Sequence, residues 1–213
     1  MKSIKSICSA CQECCKRYNI TLLPKEAEKI AKKLGLSKKE FIEKNCELML
    51  QFFPSGKTEN FFAVKKQVVP EKILEKLEKH SDSDYFFVLP NISLKKKEHC
   101  VFLENGLCTI HEAKPMQCKL FPFISLKKET DFKKSYSFCA LLKQGFKHEK
   151  DFQEKSQAHY ENIKNYFDKI KKQGFNSIWK ILPKKGNAFF EDKRLCELSK
   201  EDFNAIFQAK TFK

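Results

Sequence analysis

A chain of 213 residues, 41% hydrophobic and 13% aromatic, can bury a core, and its 6 glycines and 7 prolines exclude a Gly-rich barrel or a disordered chain. The net charge is +15, yet Arg17 and Arg194 are the only arginines; the other basic residues are lysines, which lack the planar fork that reads phosphate and guanine edges. The balance therefore argues against specific nucleic-acid recognition and fits contact with an acidic protein surface better.

The chain opens on "MKSIKSIC", which has two lysines but no apolar segment of the kind a signal peptide needs. No stretch approaches the roughly 18 apolar residues of a membrane span. The expected location is the cytoplasm. Thiols stay reduced there, so ten cysteines point to metal rather than disulfides. Four of them fall in "CSACQECC" as Cys8, Cys11, Cys14 and Cys15. A short helix or turn brings Cys8, Cys11 and Cys14 onto one face by i, i+3 steps.

"LLPKEAEKIAKKLG" follows, with Leu23, Ala27, Ile30, Ala31 and Leu34 at helical spacing. Pro24 suits its first turn and Gly35 its C-terminal stop. Ser37 and Glu40 form a capping box for a second helix running to about Asn45. "FFAVKKQVV" and "YFFVLPNISLKKK" read as strands broken by Pro70 and Pro90, with a short helix in "PEKILEKLEKH" between them. In "CVFLENGLCTI" the Asn105-Gly106 pair predicts a tight hairpin that brings Cys100 and Cys108 together across its ladder. "HEAKPMQCKLFPF" then turns through Pro115 and returns Cys118 to the same place. Beyond Cys139 a long helical pattern stops at Gly174, with Phe152, His159, Ile163, Tyr166, Phe167 and Ile170 as its stripe; a last helix begins at the cap Ser199.

The thiols admit two chemistries. Zinc takes four ligands tetrahedrally and favours thiolates in structural sites, so eight cysteines make two such sites arithmetically. An iron–sulfur cluster also takes four thiolates. Cys8, Cys11 and Cys14 reproduce the first three ligands of the ferredoxin run, but Tyr18 and Asn19 stand where its Cys-Pro should be. Adjacent thiols such as Cys14 and Cys15 chelate one small ion poorly. They point to two metals or to opposite sides of one cluster. Cys46 and Cys196 stand alone and read as small buried hydrophobes.

"CSACQECC" together with "CVFLENGLCTIHEAKPMQCKLFPF" resembles the CxxCxxCC family, also called the YkgJ or zinc- or iron-chelating domain family. Cys8, Cys11, Cys14 and Cys15 match its first block. Cys100, Phe102, Leu103, Cys108, Ile110, Pro115, Cys118, Phe121 and Pro122 match its second, and Cys139 stands where the family has a further downstream cysteine. Gln12 replaces the family's usual Gly, His111 its Tyr, and Lys114 and Lys119 its two arginines. The resemblance implies metal binding by Cys8, Cys11, Cys14, Cys15, Cys100, Cys108, Cys118 and Cys139. It extends to flagellin lysine-N-methylases, so the alternative is an iron–sulfur-dependent protein-modifying enzyme. No Gly-rich loop, catalytic order or carboxylate pair in the chain supports that independently, and no catalytic residue is assigned. The expected fold is α+β: a metal-stabilised cysteine-cluster domain over residues 1–145, with short strands and helices, and a helical extension over 146–213 packed on it.

Overall fold

A computed structural model describes residues 4–54, 61–123, 132, 134, 136–146, 152–191 and 193–208. The helices form where the local signals put them. Helix α3 runs Pro24–Lys33 and turns its apolar stripe, Ala27, Ile30 and Ala31, inward. Gly35 follows at φ 68, a conformation that costs glycine little. In α4 (Lys38–Asn45) the Ser37 hydroxyl accepts from the Glu40 amide while the Glu40 carboxylate accepts from the Ser37 amide. They precede the strand β1 (Cys46–Phe53). Two short helices, α1 (Ile4–Cys11) and α2 (Glu13–Arg17), open the chain.

The chain divides into two compact units, each assembled from two stretches: 1–35 with 94–163, and 36–93 with 164–213. The boundary expected near residue 145 falls inside the second stretch of the first unit.

The unit of 36–93 and 164–213 carries a five-stranded sheet. Besides β1 it contains β2 (Phe62–Lys65), β3 (Tyr85–Leu94), β6 (Lys185–Phe190) and β7 (Lys193–Ser199), in the order β2-β3-β1-β6-β7. β1 pairs with β6 in parallel, and β6 with β7 in antiparallel fashion through a bulge at Ala188/Phe189. Gly186 sits opposite Leu48 in the parallel ladder, and a Cβ there would strike the Leu48 backbone. The apolar runs of β1 and β3 read as near-continuous because central strands are covered on both faces. Phe52, Phe86, Leu48 and Val88 are fully buried. Helix α5 (Glu71–Leu77) and the last helix α10 (Lys200–Gln208) bury Ile73, Leu77, Phe203 and Ile206. The short helix α9 (Phe175–Trp179) buries Trp179, whose indole donates to the Tyr166 hydroxyl at 2.7 Å.

The strand reading needs one correction. β3 continues through Pro90 rather than breaking there. β2 pairs only with Tyr85 to Val88, so Pro90 lies past that ladder and its missing N–H costs no bond to β2. The C-terminal region is helical as expected, chiefly in α8 (Phe152–Gln173), but it also contributes the β6–β7 hairpin.

The unit of 1–35 and 94–163 holds little regular sheet. It contains α1, α2, α3, the two-residue strands β4 (Leu103–Glu104) and β5 (Leu107–Cys108), α6 (Met116–Leu120), α7 (Ala140–Lys143) and the first half of α8. Its core is correspondingly small, with Ile30, Ala27, Ile110 and Leu120 among its buried side chains. Among the described residues, no helix is long and apolar enough to cross a membrane.

Candidate metal centre

The first four cysteines do not share one helical face. α1 ends at Cys11, Gln12 adopts the left-handed conformation (φ 55, ψ 0), and α2 starts at Glu13. Cys8 and Cys11 therefore ride on one helix, Cys14 and Cys15 on the next. Backbone bonds lock the turn: the Gln12 amide donates to the Cys8 carbonyl and the Cys15 amide to the Gln12 carbonyl, both at 3.0 Å. A side chain in this conformation costs about 1–2 kcal/mol, which is why glycine suits the position.

The second block is bonded directly to the first. The Cys100 amide donates to the Cys15 carbonyl at 2.9 Å. Lys96 Nζ reaches the carbonyls of Lys16 (3.1 Å) and Arg17 (2.9 Å), the orphan acceptors at the end of α2. Asn105 (φ 48) and Gly106 (φ 79) make the hairpin turn. Its ladder is short: Leu103 pairs with Cys108 and Glu104 with Leu107. Cys100 lies outside that ladder, so the two thiols meet across a cavity rather than across strands.

Cys118 rides on α6, which two side chains tie to the helical N-terminal region. Glu26 accepts from the Leu23 amide through Oε2 (2.9 Å) and from the Met116 amide through Oε1 (2.7 Å). Gln117 Oε1 accepts from both the amide and the hydroxyl of Thr21. Cys139 is the residue before α7, which packs on α1; Ile7, Cys139 and Leu141 form a buried cluster with Cys8 against it.

All eight expected ligands line two cavities of this unit. The larger, about 140 Å³, is walled by Cys8, Cys14, Cys15, Cys100, Cys108 and Cys118. The smaller, about 40 Å³, is walled by Cys8, Cys11, Cys14, Cys118 and Cys139. Cys46 and Cys196 line neither. Both belong to the other unit, Cys46 buried at the start of β1 and Cys196 opposite Ala188 in the β6–β7 hairpin. None of the ten cysteines is in a disulfide. Among the described residues no three His, Cys, Asp or Glu side chains are gathered as a finished ligand set. The donor set itself fits: clustered thiolates are the ligands that zinc and iron–sulfur centres take.

Burial sets the thiol acidities. It pushes Cys100 up to about 11 and raises Cys8, Cys108 and Cys118 as well, with neighbouring thiols adding to the effect. The Cys14–Cys15 pair differs. Their side-chain hydrogen bond lowers Cys15 to about 7 and raises Cys14, as expected when the Cys14 thiol donates to a Cys15 thiolate. Lys114 is the cation that reaches most of these thiols and favours the thiolates of Cys8, Cys15, Cys108 and Cys118, while Lys96 favours that of Cys100. His111 is half-buried in the wall of the larger cavity, its Nε2 3.5 Å from Lys114 Nζ. The sequence reading treated Lys114 only as a substituted arginine. Its place just ahead of Pro115 and the Cys118 helix was the available signal. Tyr18, Phe121 and Tyr136 also line the larger cavity and pack ring against ring; Phe121 belongs to the second motif block, while Tyr18 and Tyr136 carry no such signal.

A family model described as "CxxCxxCC: Putative zinc- or iron-chelating domain" matches residues 7–140. The chain belongs to the CxxCxxCC family. The match begins one residue before Cys8 and ends one residue after Cys139, so it takes in all eight cavity cysteines and supports metal binding in general. Neither a search of curated proteins nor one of solved structures returned a match to this chain.

Proposed function

We propose that this CxxCxxCC protein holds zinc or an iron centre through Cys8, Cys11, Cys14, Cys15, Cys100, Cys108, Cys118 and Cys139, in the reducing cytoplasm. One observation carries the reading: two adjoining cavities of one unit are walled by these eight thiols, and the two remaining cysteines lie in the other unit. Bound zinc would supply a structural cross-link between stretches far apart in sequence, and an iron–sulfur centre would add electron transfer. The chain's own part is to supply soft donors, to place Lys114 against their negative charge, and to limit water with the aromatic wall of Tyr18, Phe121 and Tyr136. The lysine-rich surface fits an acidic protein partner.

The test is anaerobic purification followed by metal analysis and a visible spectrum. Zinc or iron should co-purify. Colourless zinc-loaded protein identifies a structural site, and a charge-transfer chromophore with acid-labile sulfide identifies an iron–sulfur centre. Protein that neither carries nor takes up either metal overturns the reading.

A further inference from the structure

We propose that the eight cysteines divide into two separate four-thiolate sites: Cys15, Cys100, Cys108 and Cys118 in the larger cavity, and Cys8, Cys11, Cys14 and Cys139 in the smaller. The proposal rests on the metal-holding reading above and adds which thiol serves which ion.

The cavities fix five assignments by themselves. Cys15, Cys100 and Cys108 line only the larger cavity, and Cys11 and Cys139 line only the smaller. Cys8, Cys14 and Cys118 line both. A tetrahedral ion needs four ligands, so the larger cavity requires one of the three shared thiols and the smaller requires two. No thiol is then left over and none has to bridge.

Neighbours decide the shared three. Cys118 interacts electrostatically with Cys100, Cys15 and Cys108, all of the larger set, and also with Cys14. Cys8 packs against the buried cluster of Ile7, Cys139 and Leu141, on the side of the smaller set. Cys14 borders thiols of both sets, and because adjacent thiols chelate one small ion poorly it goes to the ion that Cys15 does not serve. Two backbone features agree. The Cys100 amide is bonded to the Cys15 carbonyl, which anchors the second motif block to Cys15 and not to its neighbour. Helix α1, which carries Cys8 and Cys11, packs on α7, whose leading residue is Cys139. The Cys14–Cys15 hydrogen bond of the metal-free chain would be exchanged on loading for bonds to two different ions, and one peptide would join the two sites.

The experiment loads purified metal-free full-length chain with cadmium or zinc and counts ions by native mass spectrometry. Wild type should take two. Cys100→Ser with Cys108→Ser, both in one set, should lose one ion and keep the other. Cys11→Ser with Cys139→Ser should do the same. Cys100→Ser with Cys139→Ser, one from each set, should lose both. A second measurement on unaltered protein does not depend on the variants folding. At one equivalent of metal, mass-spectrometric alkylation should find the cysteines protected as a set of four that matches one of the two proposed, with the other four still reactive. A same-set pair that abolishes both ions, or protection that cuts across the sets, overturns the division. So does a single multinuclear centre lost as a whole on any one change. Wild type that binds no metal overturns instead the reading on which the division rests.

Discussion

Removing the Glu26 side chain should loosen the helix that presents Cys118. One carboxylate accepts from the Leu23 amide at the head of α3 and from the Met116 amide at the head of α6, at 2.9 and 2.7 Å. Hydrogen bonds to a charged acceptor contribute about 1.5–3 kcal/mol each. Both are only half-buried, so water compensates part of each loss, and the lower figure applies. Glu26→Ala should therefore cost about 3 kcal/mol of local stability. That equals roughly a 150-fold rise in the open population of α6. Hydrogen exchange of the metal-free chain, followed on peptides spanning Met116–Leu120, measures that population when reclosing is much faster than chemical exchange. Glu26→Gln keeps one acceptor oxygen and should fall between wild type and Glu26→Ala. Trp179 fluorescence serves as the control, because the indole lies in the other unit and should not change. Wild-type exchange in α6 of Glu26→Ala would refute the claim that this carboxylate holds the helix in place.

Gln12→Gly should stabilise the chain by about 0.5–1 kcal/mol, the left-handed strain relieved less the extra unfolded-state entropy of glycine, while Gln12→Val should destabilise it; urea titration followed by tyrosine fluorescence reads both. The metal-free chain should lose stability above about pH 9. The folded pKa values of Cys8, Cys100, Cys108 and Cys118 lie above their ordinary 9.0, so their contribution is complete below that pH and disappears as pH rises through about 11, the value for Cys100. Cys15, lowered to about 7, acts in the opposite sense and loses its contribution as pH falls through 7; melting curves from pH 6 to 11 should show a decline on the alkaline side. Lys114→Gln should raise the pH at which half the metal is released, because four thiolates lose their cation, and Lys114→Arg should restore it; a chelator-coupled pH titration measures both.

Much of the fold was legible because its signals are local. Pro24 and Gly35 bracket α3, Ser37 and Glu40 cap α4, Asn105-Gly106 turns the hairpin, and Ser199 caps α10 by exchanging bonds with Asp202. The β1–β6 ladder was not legible, since it joins Leu48 to Gly186 and no short-range pattern records a parallel pairing of that span. The same applies to Pro90, whose acceptability depends on where the β2 ladder ends. Motif spacing picks out the eight cysteines that line the two cavities. Which cavity each of them lines is not legible there, because it depends on the Gln12 turn, and glutamine in that conformation runs against local preference.

The chain leaves the cysteine-bearing unit after residue 35 and returns to it at 94, which has a consequence during synthesis. When Cys8 to Cys15 emerge from the ribosome, their partners from Cys100 onward are not yet made, and Cys139 follows only after roughly 120 further residues. At roughly 5–20 residues per second the first four thiols spend about 6–25 s without their mates. They can meet oxidants or the wrong ion in that interval, and neither unit can be completed from a nascent chain that stops at the first crossing. A piece of the gene ending near residue 93 should thus yield a product that holds half a set of ligands and no finished fold.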